Sequence, residues 1–209
     1  MPKQTFYNLQ AEKRNKIIES AIEEFSQNLY VNASITKIAE KSGVAKGSMY
    51  QYFNDKKDLY KFILDMIGQQ KLEYMKEAIE QKDQIDFISF MRLLFKSGLE
   101  FAIDNPLLAS IANNFIKEQY SEISEEILKE SQAKSNMFFA QIINSAKERG
   151  DIRSEVDPEI GAYIIYHFNN VLLDWIDLSR ISQGEGVSIE DCLDKVDRLL
   201  EIIKHGFME

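Results

Sequence analysis

Residues 38–59 read IAEKSGVAKGSMYQYFNDKKDL, and this stretch decides the fold of the N-terminal part of the chain. Gly43 separates two segments of helical character, each too short to be stable in isolation. Ser34 precedes the first segment as a candidate N-cap, and Gly43 supplies the positive φ that a sharp turn requires. The pattern therefore predicts two short helices joined by a turn, with the second helix beginning at Ala45.

The second short helix, from Ala45 to about Tyr52, has apolar side chains on only one side. Met49 and Phe53 are its inward positions, and they face the apolar stripe of an earlier helix predicted over residues 11–25. A helix of this length spans ~12 Å and fits the ~12 Å major groove of DNA. The spacing is consistent with a helix-turn-helix that binds DNA, and equally with a helical hairpin whose polar side chains are simply solvated.

The polar side chains around this unit have the chemistry that a DNA contact needs. Short polar groups can meet base edges, lysines can bind phosphate or guanine, and tyrosine hydroxyls can donate to phosphates. A glycine allows the backbone to come close to the DNA. The candidate DNA-contacting residues are Lys37, Lys46, Gly47, Ser48, Tyr50, Gln51, Tyr52 and Lys56.

The run from Phe25 to Leu59 closely resembles the DNA-binding domain of the TetR/AcrR family of bacterial transcriptional regulators. The resemblance is carried by Ile-Ala, Gly-Val, Lys-Gly, Met-Tyr and Tyr-Phe pairs, by a lysine three residues after Phe53, and by a leucine three residues later. It implies DNA contacts at Thr36, Lys37, Lys46, Gly47, Ser48, Tyr50, Tyr52 and Lys56. It also implies that the protein binds DNA as a dimer, and that a small molecule in a second domain changes its DNA binding.

The sequence departs from the family pattern just after the first long helix. The family usually has Gly-Tyr shortly after the phenylalanine of that helix, and this chain has Leu29 and Tyr30. Two explanations are open: the helix runs further, or Asn28 takes the left-handed conformation that ends it.

Scarce helix breakers indicate an all-α fold, because only 9 glycines and 3 prolines occur in 209 residues. No stretch shows sustained alternation of apolar and polar residues. After a long helix that starts near residue 55, further helices are predicted over residues 87–104, 106–118, 124–149, 158–181 and 189–207. We expect a three-helix helix-turn-helix DNA-binding domain over residues 1–56. A larger helical ligand-binding and dimerisation domain follows over residues 57–209.

The net charge of −9 hides a difference between the two parts of the chain. Residues 1–58 carry nine Lys and Arg against seven Asp and Glu, whereas the remaining residues carry sixteen against twenty-seven. A small nucleic-acid-binding domain on an acidic body gives this asymmetry, and so does chance variation on a helical surface. No secretion signal or membrane-length apolar run occurs, and Cys192 is the single cysteine. We expect a cytoplasmic protein without membrane segments, metal or cofactor.

Polar residues within an apolar helical stretch indicate a candidate ligand pocket. Tyr163, His167 and Asn170 follow i, i+4, i+7 spacing and share one helix face. A buried polar group needs a partner, which a ligand can supply. The alternatives are a core histidine with a protein partner, or a polar spot at an interface. The apolar residues expected to complete the cavity are Met66, Phe90, Leu94, Phe115, Phe138 and Ile142.

The opposite face of the same helix is a candidate dimer interface. By resemblance, the last two long helices pack with the same pair of a second chain. Such a dimer would hold its two DNA-binding domains one helical turn apart, ~34 to 36 Å, and select a near-palindromic operator. The expected interface residues are Phe168, Val171, Leu172, Trp175, Leu193, Val196 and Leu200.

Together these patterns predict a ligand-responsive DNA-binding transcriptional regulator. We expect a repressor that a small, largely apolar effector releases from its operator. An enzyme is disfavoured because His167 and His205 are far apart, and no HExxH motif or glycine-rich phosphate loop occurs. The alternative is a helical-bundle interaction or small-molecule-binding protein without a DNA function.

Overall fold

A computed structural model gives the structure of the protein and describes residues 1–118, 122–175 and 188–207. All regular secondary structure in these residues is helical, which confirms the all-α fold. The helices are α1 (Gln4–Tyr7), α2 (Ala11–Gln27), α3 (Ile35–Ser42), α4 (Lys46–Tyr52), α5 (Lys56–Glu80), α6 (Phe87–Asp104), α7 (Pro106–Lys117), α8 (Glu122–Arg149), α9 (Pro158–Trp175) and α10 (Ile189–Phe207). Of the helices in these three segments, none has the length and apolar character that crossing a membrane requires.

The turn chemistry around α3 is as the sequence predicts. The Ser34 hydroxyl accepts a hydrogen bond from the backbone N–H of Lys37 at 3.4 Å and caps the helix. Gly43 ends α3 in the left-handed conformation, with φ of 71°. Helix α4 begins at Lys46, one residue later than predicted, because Ala45 is its N-cap residue.

The end of α2 differs from both predicted explanations. The helix ends at Gln27, and Asn28 is extended, with φ of −129°. Asn28 donates from its backbone N–H and from its side-chain amide to the Glu24 carbonyl, at 3.1 and 3.0 Å. These bonds satisfy a carbonyl of the last helical turn, so the chain leaves α2 without a left-handed residue.

The chain forms two compact units. The first unit consists of residues 1–70 together with residues 107–127, and the second consists of residues 71–106 together with residues 128–209. Helix α7 therefore belongs with the N-terminal helices, although it lies far along the sequence. The domain boundary after residue 56 stays a prediction.

The core of the first unit joins α2, α3 and α4. Met49 and Phe53 are buried, as predicted, and α3 packs against both α2 and α4. The sequence patterns did not predict α1, whose Phe6 is completely buried. The Phe6 ring lies 4.9 Å from the Phe53 ring and 5.5 Å from the Phe62 ring, measured between centroids. Helix α1 thus closes the core beside the end of α4.

The second unit has one continuous hydrophobic core, in which α10 packs against α6 and α9. Leu193, Val196 and Leu200 are buried in this core. The prediction that these three residues form a dimer interface is therefore wrong. The apolar face of α10 covers the second unit of its own chain, and a face of one amphipathic helix can be buried only once.

Gly43 provides a test of the predicted turn. A Cβ built at Gly43 meets no atom within 4 Å, so only the positive φ opposes a side chain there. We expect Gly43→Ala to lower the free energy of unfolding by about 1–2 kcal/mol, the cost of a left-handed L-residue. Thermal or urea unfolding measures this change.

Gly68→Ala is the matched control, because Gly68 lies within helix α5 and also has open space around it. We expect this control to raise stability by about 0.5–1 kcal/mol. If Gly43→Ala is as stable as Gly68→Ala, the left-handed turn is contradicted.

Candidate nucleic-acid interface

Helix α4 exposes most of the predicted contact residues and buries its opposite side. Lys46, Gly47, Tyr50 and Gln51 are exposed, and Ser48 is half-buried. No atom lies within 4 Å of a Cβ built at Gly47, so the backbone there is open to close approach. The structure therefore brings a lysine, a glycine, two hydroxyl groups and an amide together on α4.

Helix α3 adds two further predicted residues in its first turn. Lys37 is exposed and Thr36 is half-buried. The neighbouring Lys41, in contrast, forms an ion pair with Glu23 at 2.9 Å. Lys37 thus remains available as a phosphate-binding group beside α4, and its DNA contact stays a prediction.

The ring of Tyr52 packs inward, and the predicted DNA contact of this residue stays a prediction. Its side chain is only 7% exposed, and its ring lies 6.3 Å from the ring of Phe6. Helix α1 covers this position, which the pattern of α4 alone could not indicate.

The N-terminal segment satisfies the carbonyls at the end of α4, a role that the sequence patterns missed. The Lys3 ammonium donates to the Tyr50 carbonyl at 2.9 Å, and the Lys3 N–H donates to the Tyr52 carbonyl at 2.8 Å. The Thr5 hydroxyl donates to the Gln51 carbonyl. A cation beside a helix C-terminus also interacts favourably with the helix dipole. The only sequence signal was a lysine and a threonine before the first long helix.

Lys56 is bound to the loop that joins α2 and α3, residues 28–34. Its ammonium donates to the carbonyls of Tyr30 and Ala33 at 2.6 and 2.9 Å, and lies 4.4 Å from the centre of the Tyr30 ring. Burial lowers the pKa of Lys56, and the nearby carboxylates of Glu118 and Glu24 oppose this shift. The predicted phosphate contact of Lys56 is untested, and its ammonium has protein partners in this structure.

Helix α7 and Glu118, the residue that follows it, also contact the end of α2 and the α2–α3 loop. The Glu118 carboxylate accepts from the backbone N–H groups of Tyr30 and Val31, at 2.8 and 3.3 Å. The Ser110 hydroxyl donates to the Ser26 carbonyl at 2.9 Å, and the Asn114 amide donates to the same carbonyl at 3.2 Å. Polar side chains along α7 therefore bind the end of α2 and the α2–α3 loop.

An aromatic cluster accompanies these hydrogen bonds. The Tyr60 ring lies 4.8 Å from Phe25, 5.0 Å from Tyr30 and 6.3 Å from Phe115. The Tyr60 hydroxyl is buried and has no hydrogen-bond partner in the described part of the chain. Burial raises the pKa of Tyr60 well above its ordinary value, and the negative charge of Glu118 adds to the shift. The cluster holds one unsatisfied polar group where α7 meets α2 and α5.

The predicted ligand-binding residues are divided between the two compact units of the chain. Met66 and Phe115 belong to the first unit, while the other predicted residues belong to the second. Phe90 and Leu94 are buried on α6, and Phe138 and Ile142 line an open cleft of about 420 Å³ on α8.

Helix α9 presents to solvent the face that was predicted to line a pocket. Tyr163 is 52% exposed, and the exposed His167 ring stacks on it with 4.3 Å between centroids. Ile160 and Val171 continue this exposed stripe at 62% and 54%. The prediction that Tyr163 and His167 line a cavity is wrong for the single chain.

On the opposite side of α9, Phe168 is half-buried against the core of the second unit and does not lie at an exposed interface as predicted. Val171, which was also predicted at the interface, is 54% exposed, and its interface role stays a prediction. Helical periodicity separates the sides of α9 but does not show which side the core covers. The side chains of Asn170, Leu172 and Trp175, which the sequence also singled out, lie outside the described residues.

Known proteins with similar sequences and folds are bacterial regulators. Residues 17–62 match the family model for bacterial regulatory proteins of the tetR family. Over 169 residues the chain is 25% identical to the HTH-type transcriptional regulator TtgR of Pseudomonas putida, covering 78% of this chain and 79% of TtgR. A TetR family transcriptional regulator from Chloroflexus aurantiacus has a TM-score of 0.71 at 26% identity, covering 100% of this chain and 99% of that one.

A second solved structure shares the fold. The transcriptional regulator FadR from Bacillus subtilis, in complex with stearoyl-CoA, has a TM-score of 0.70 at 18% identity. The alignment covers 90% of this chain and 96% of FadR.

The exposed polar face of α4 and these matches define a helix-turn-helix DNA-binding transcriptional regulator. The chain belongs to the TetR/AcrR family of bacterial transcriptional regulators. The resemblance drawn from residues 25–59 is thereby confirmed. The matched relatives are transcriptional regulators and not enzymes.

Glu118 provides a test of the contact between α7 and the α2–α3 loop. We expect Glu118→Ala to lower the free energy of unfolding by about 1 kcal/mol, because two backbone donors lose their acceptor. Glu118→Gln keeps one acceptor oxygen and should lose less. Chemical unfolding followed by circular dichroism measures both changes.

Glu19→Ala is the control, because Glu19 is an exposed glutamate on α2. We expect it to change stability by less than about 0.5 kcal/mol. Equal stability of the Glu118→Ala and Glu19→Ala variants would show that the loop does not depend on Glu118.

Proposed function

We propose that the protein is a dimeric repressor that a small, largely apolar effector releases from a near-palindromic DNA operator. The observation that carries the proposal is the exposed polar face of α4, held in place by α3 on one side and α1 on the other. Residues 1–56 act as the DNA-binding domain, and residues 57–209 act as the ligand-binding and dimerisation domain. We expect the protein to act in the cytoplasm.

The DNA contacts follow from the chemistry of the exposed side chains. Lys46 binds a phosphate or the acceptor edge of a guanine, and Gln51 has an amide suited to adenine. Tyr50 donates its hydroxyl to a phosphate, and Lys37 binds the backbone beside it. Gly47 lets α4 lie close to the groove because no side chain intervenes.

Effector release requires a connection from the ligand-binding domain to α4, and α7 supplies a candidate. Glu118 contacts the loop that leads into α3, and α3 packs against α4. Because α7 follows α6 after a single residue, a ligand that moves the end of α6 would also move α7 and withdraw the Glu118 carboxylate from the Tyr30 and Val31 N–H groups. The loop would then move, and the two α4 helices of a dimer would leave the spacing that successive major grooves require.

Two observations support an apolar effector. Phe90 and Leu94 give α6 a large apolar surface inside the second unit. The FadR regulator that shares this fold was solved with stearoyl-CoA, which carries a long acyl chain. We propose that the effector of this protein binds among apolar side chains of the second unit.

The dimer forms, in this proposal, through the exposed stripe of α9. Large apolar side chains are rarely exposed in a row along one helix unless they meet a partner. The stripe consists of Ile160, Tyr163, His167 and Val171. A twofold axis brings the same residues together from both chains, so the stripe of one chain would pack against the stripe of the other.

A gel-shift experiment with DNA from upstream of the protein's own gene tests DNA binding. We expect Lys46→Ala and Tyr50→Ala to weaken binding about 10-fold to 100-fold, because each removes a base or phosphate contact. The salt dependence of binding should also become shallower if the lost contact is to phosphate.

Lys76→Ala is the control, because Lys76 is an exposed lysine on α5 that pairs with Glu73 at 3.8 Å. It should bind DNA like the original protein. Unchanged binding by both α4 variants, with the dimer intact, would favour an interaction module without a DNA function.

The dimer surface is tested by light scattering coupled to gel filtration. We expect Tyr163→Glu and Val171→Glu to convert the dimer to monomer, because each places two like charges near one twofold axis. Leu72→Glu is the matched control, since Leu72 is 53% exposed on α5 and lies outside the stripe. Dimers of all three variants would rule out the α9 stripe as the interface.

A further inference from the structure

Lys71 lies against a glycine inside the second unit. A Cβ built at Gly98 on α6 would stand 3.8 Å from the Lys71 Cε and 3.4 Å from the Met75 Cε. Lys71 and Met75 are four residues apart on α5, and Leu94 precedes Gly98 by one turn on α6. The side chain of Lys71 therefore runs along the face of α6 that carries buried Leu94.

The Lys71 ammonium has no partner among the side chains that the structure describes. No hydrogen bond or ion pair involves it there. Burial lowers the pKa of Lys71, and no carboxylate opposes the shift. A partly desolvated cation without a partner is unfavourable, so its presence needs an explanation.

The carboxylates of the facing helix are already used elsewhere. Helix α6 contains two of them, Glu100 and Asp104. Glu100 pairs with Lys96 at 3.4 Å, and Asp104 accepts a hydrogen bond from the Tyr74 hydroxyl at 3.0 Å. Both carboxylates of α6 thus have other partners, and the Lys71 stem lies beside Met75 and the bare backbone at Gly98.

We propose that Lys71 binds the anionic group, a carboxylate or a phosphate, of an otherwise apolar effector. The inference rests on the proposed effector site in the second unit and specifies the chemistry of its ligand. The ammonium forms a charge-assisted hydrogen bond to the anionic oxygen. The apolar body of the ligand lies against Met75 and Leu94, next to a lysine stem that is itself apolar.

The test compares three amphiphiles that share one chain length, the two anions used below their micelle concentrations and the alcohol below its solubility limit. Dodecanoate carries a carboxylate, dodecyl phosphate carries a phosphate, and dodecanol carries no charge. Isothermal titration calorimetry measures their dissociation constants for the full-length protein. We expect at least one anion to bind about tenfold or more tightly than dodecanol, since a hydrogen bond to a charged group is lost with the alcohol. The anion that binds more tightly shows whether the site prefers a carboxylate or a phosphate.

Variants at Lys71 then assign this preference to its ammonium. Lys71→Met and Lys71→Gln should bind the preferred anion no better than dodecanol, whereas Lys71→Arg should keep most of the preference. Lys76→Met is the control, because Lys76 is exposed on the same helix. Thermal unfolding should show Lys71→Met at least as stable as the original protein, because it removes an unpaired, partly desolvated charge. A purely structural lysine would give a clear loss of stability instead.

The proposal is overturned if neither anion binds better than dodecanol, or if Lys71→Met and Lys71→Gln keep the preference. Gel shifts without amphiphile separate this failure from failure of the proposed function. Retained DNA binding by Lys71→Met, together with an unchanged anion preference, would reject the role of Lys71 and leave the regulator intact.

Discussion

Three charged side chains from three parts of the first unit hold the α2–α3 loop, and the position of the DNA-binding helix depends on them. The Glu24 carboxylate accepts from the Ser34 N–H at 3.0 Å, the Lys56 ammonium donates to the Tyr30 carbonyl, and the Glu118 carboxylate accepts from the Tyr30 N–H. The loop contains only a short turn, in which the Asn32 and Ala33 N–H groups donate to the Leu29 carbonyl, and the three side chains satisfy other backbone groups of the loop. Because the loop sets the start of α3, and α4 packs on α3, they also place α4.

Of these three side chains, only Glu118 lies beyond the first 60 residues of the chain. Glu24 and Lys56 sit on helices close to the loop in sequence, while Glu118 follows directly after α7. A movement of α7 would therefore change one of the three contacts and leave the other two in place. The buried hydroxyl of Tyr60 beside α7 has no hydrogen-bond partner among the described residues, and an unsatisfied polar group of this kind costs the arrangement free energy.

The features that could be predicted from the sequence depend on interactions between residues close together in the chain. The cap at Ser34 and the left-handed turn at Gly43 depend on residues within a few positions, so the sequence patterns predicted both. Helix α1 was missed because its partners are the carbonyls of Tyr50 to Tyr52, more than 40 residues away. On α9, Tyr163 and His167 were placed in a pocket and Phe168 at an interface, because helical periodicity separates the sides of a helix without showing which side the core covers. Lys56 was predicted to bind phosphate, but its ammonium donates to backbone carbonyls in this structure. The sequence does not distinguish these two partners, because a lysine can donate hydrogen bonds to either.

Glu118, at the end of α7, holds the α2–α3 loop, and amide hydrogen exchange tests this contact most directly. Nuclear magnetic resonance can follow the Tyr30 and Ser34 amides separately in the original protein and in Glu118→Ala. We predict that the Tyr30 amide exchanges about tenfold or more faster in the variant, while the Ser34 amide, bound to Glu24, keeps its protection. Equal exchange of the Tyr30 amide in both proteins would show that Glu118 does not hold the loop.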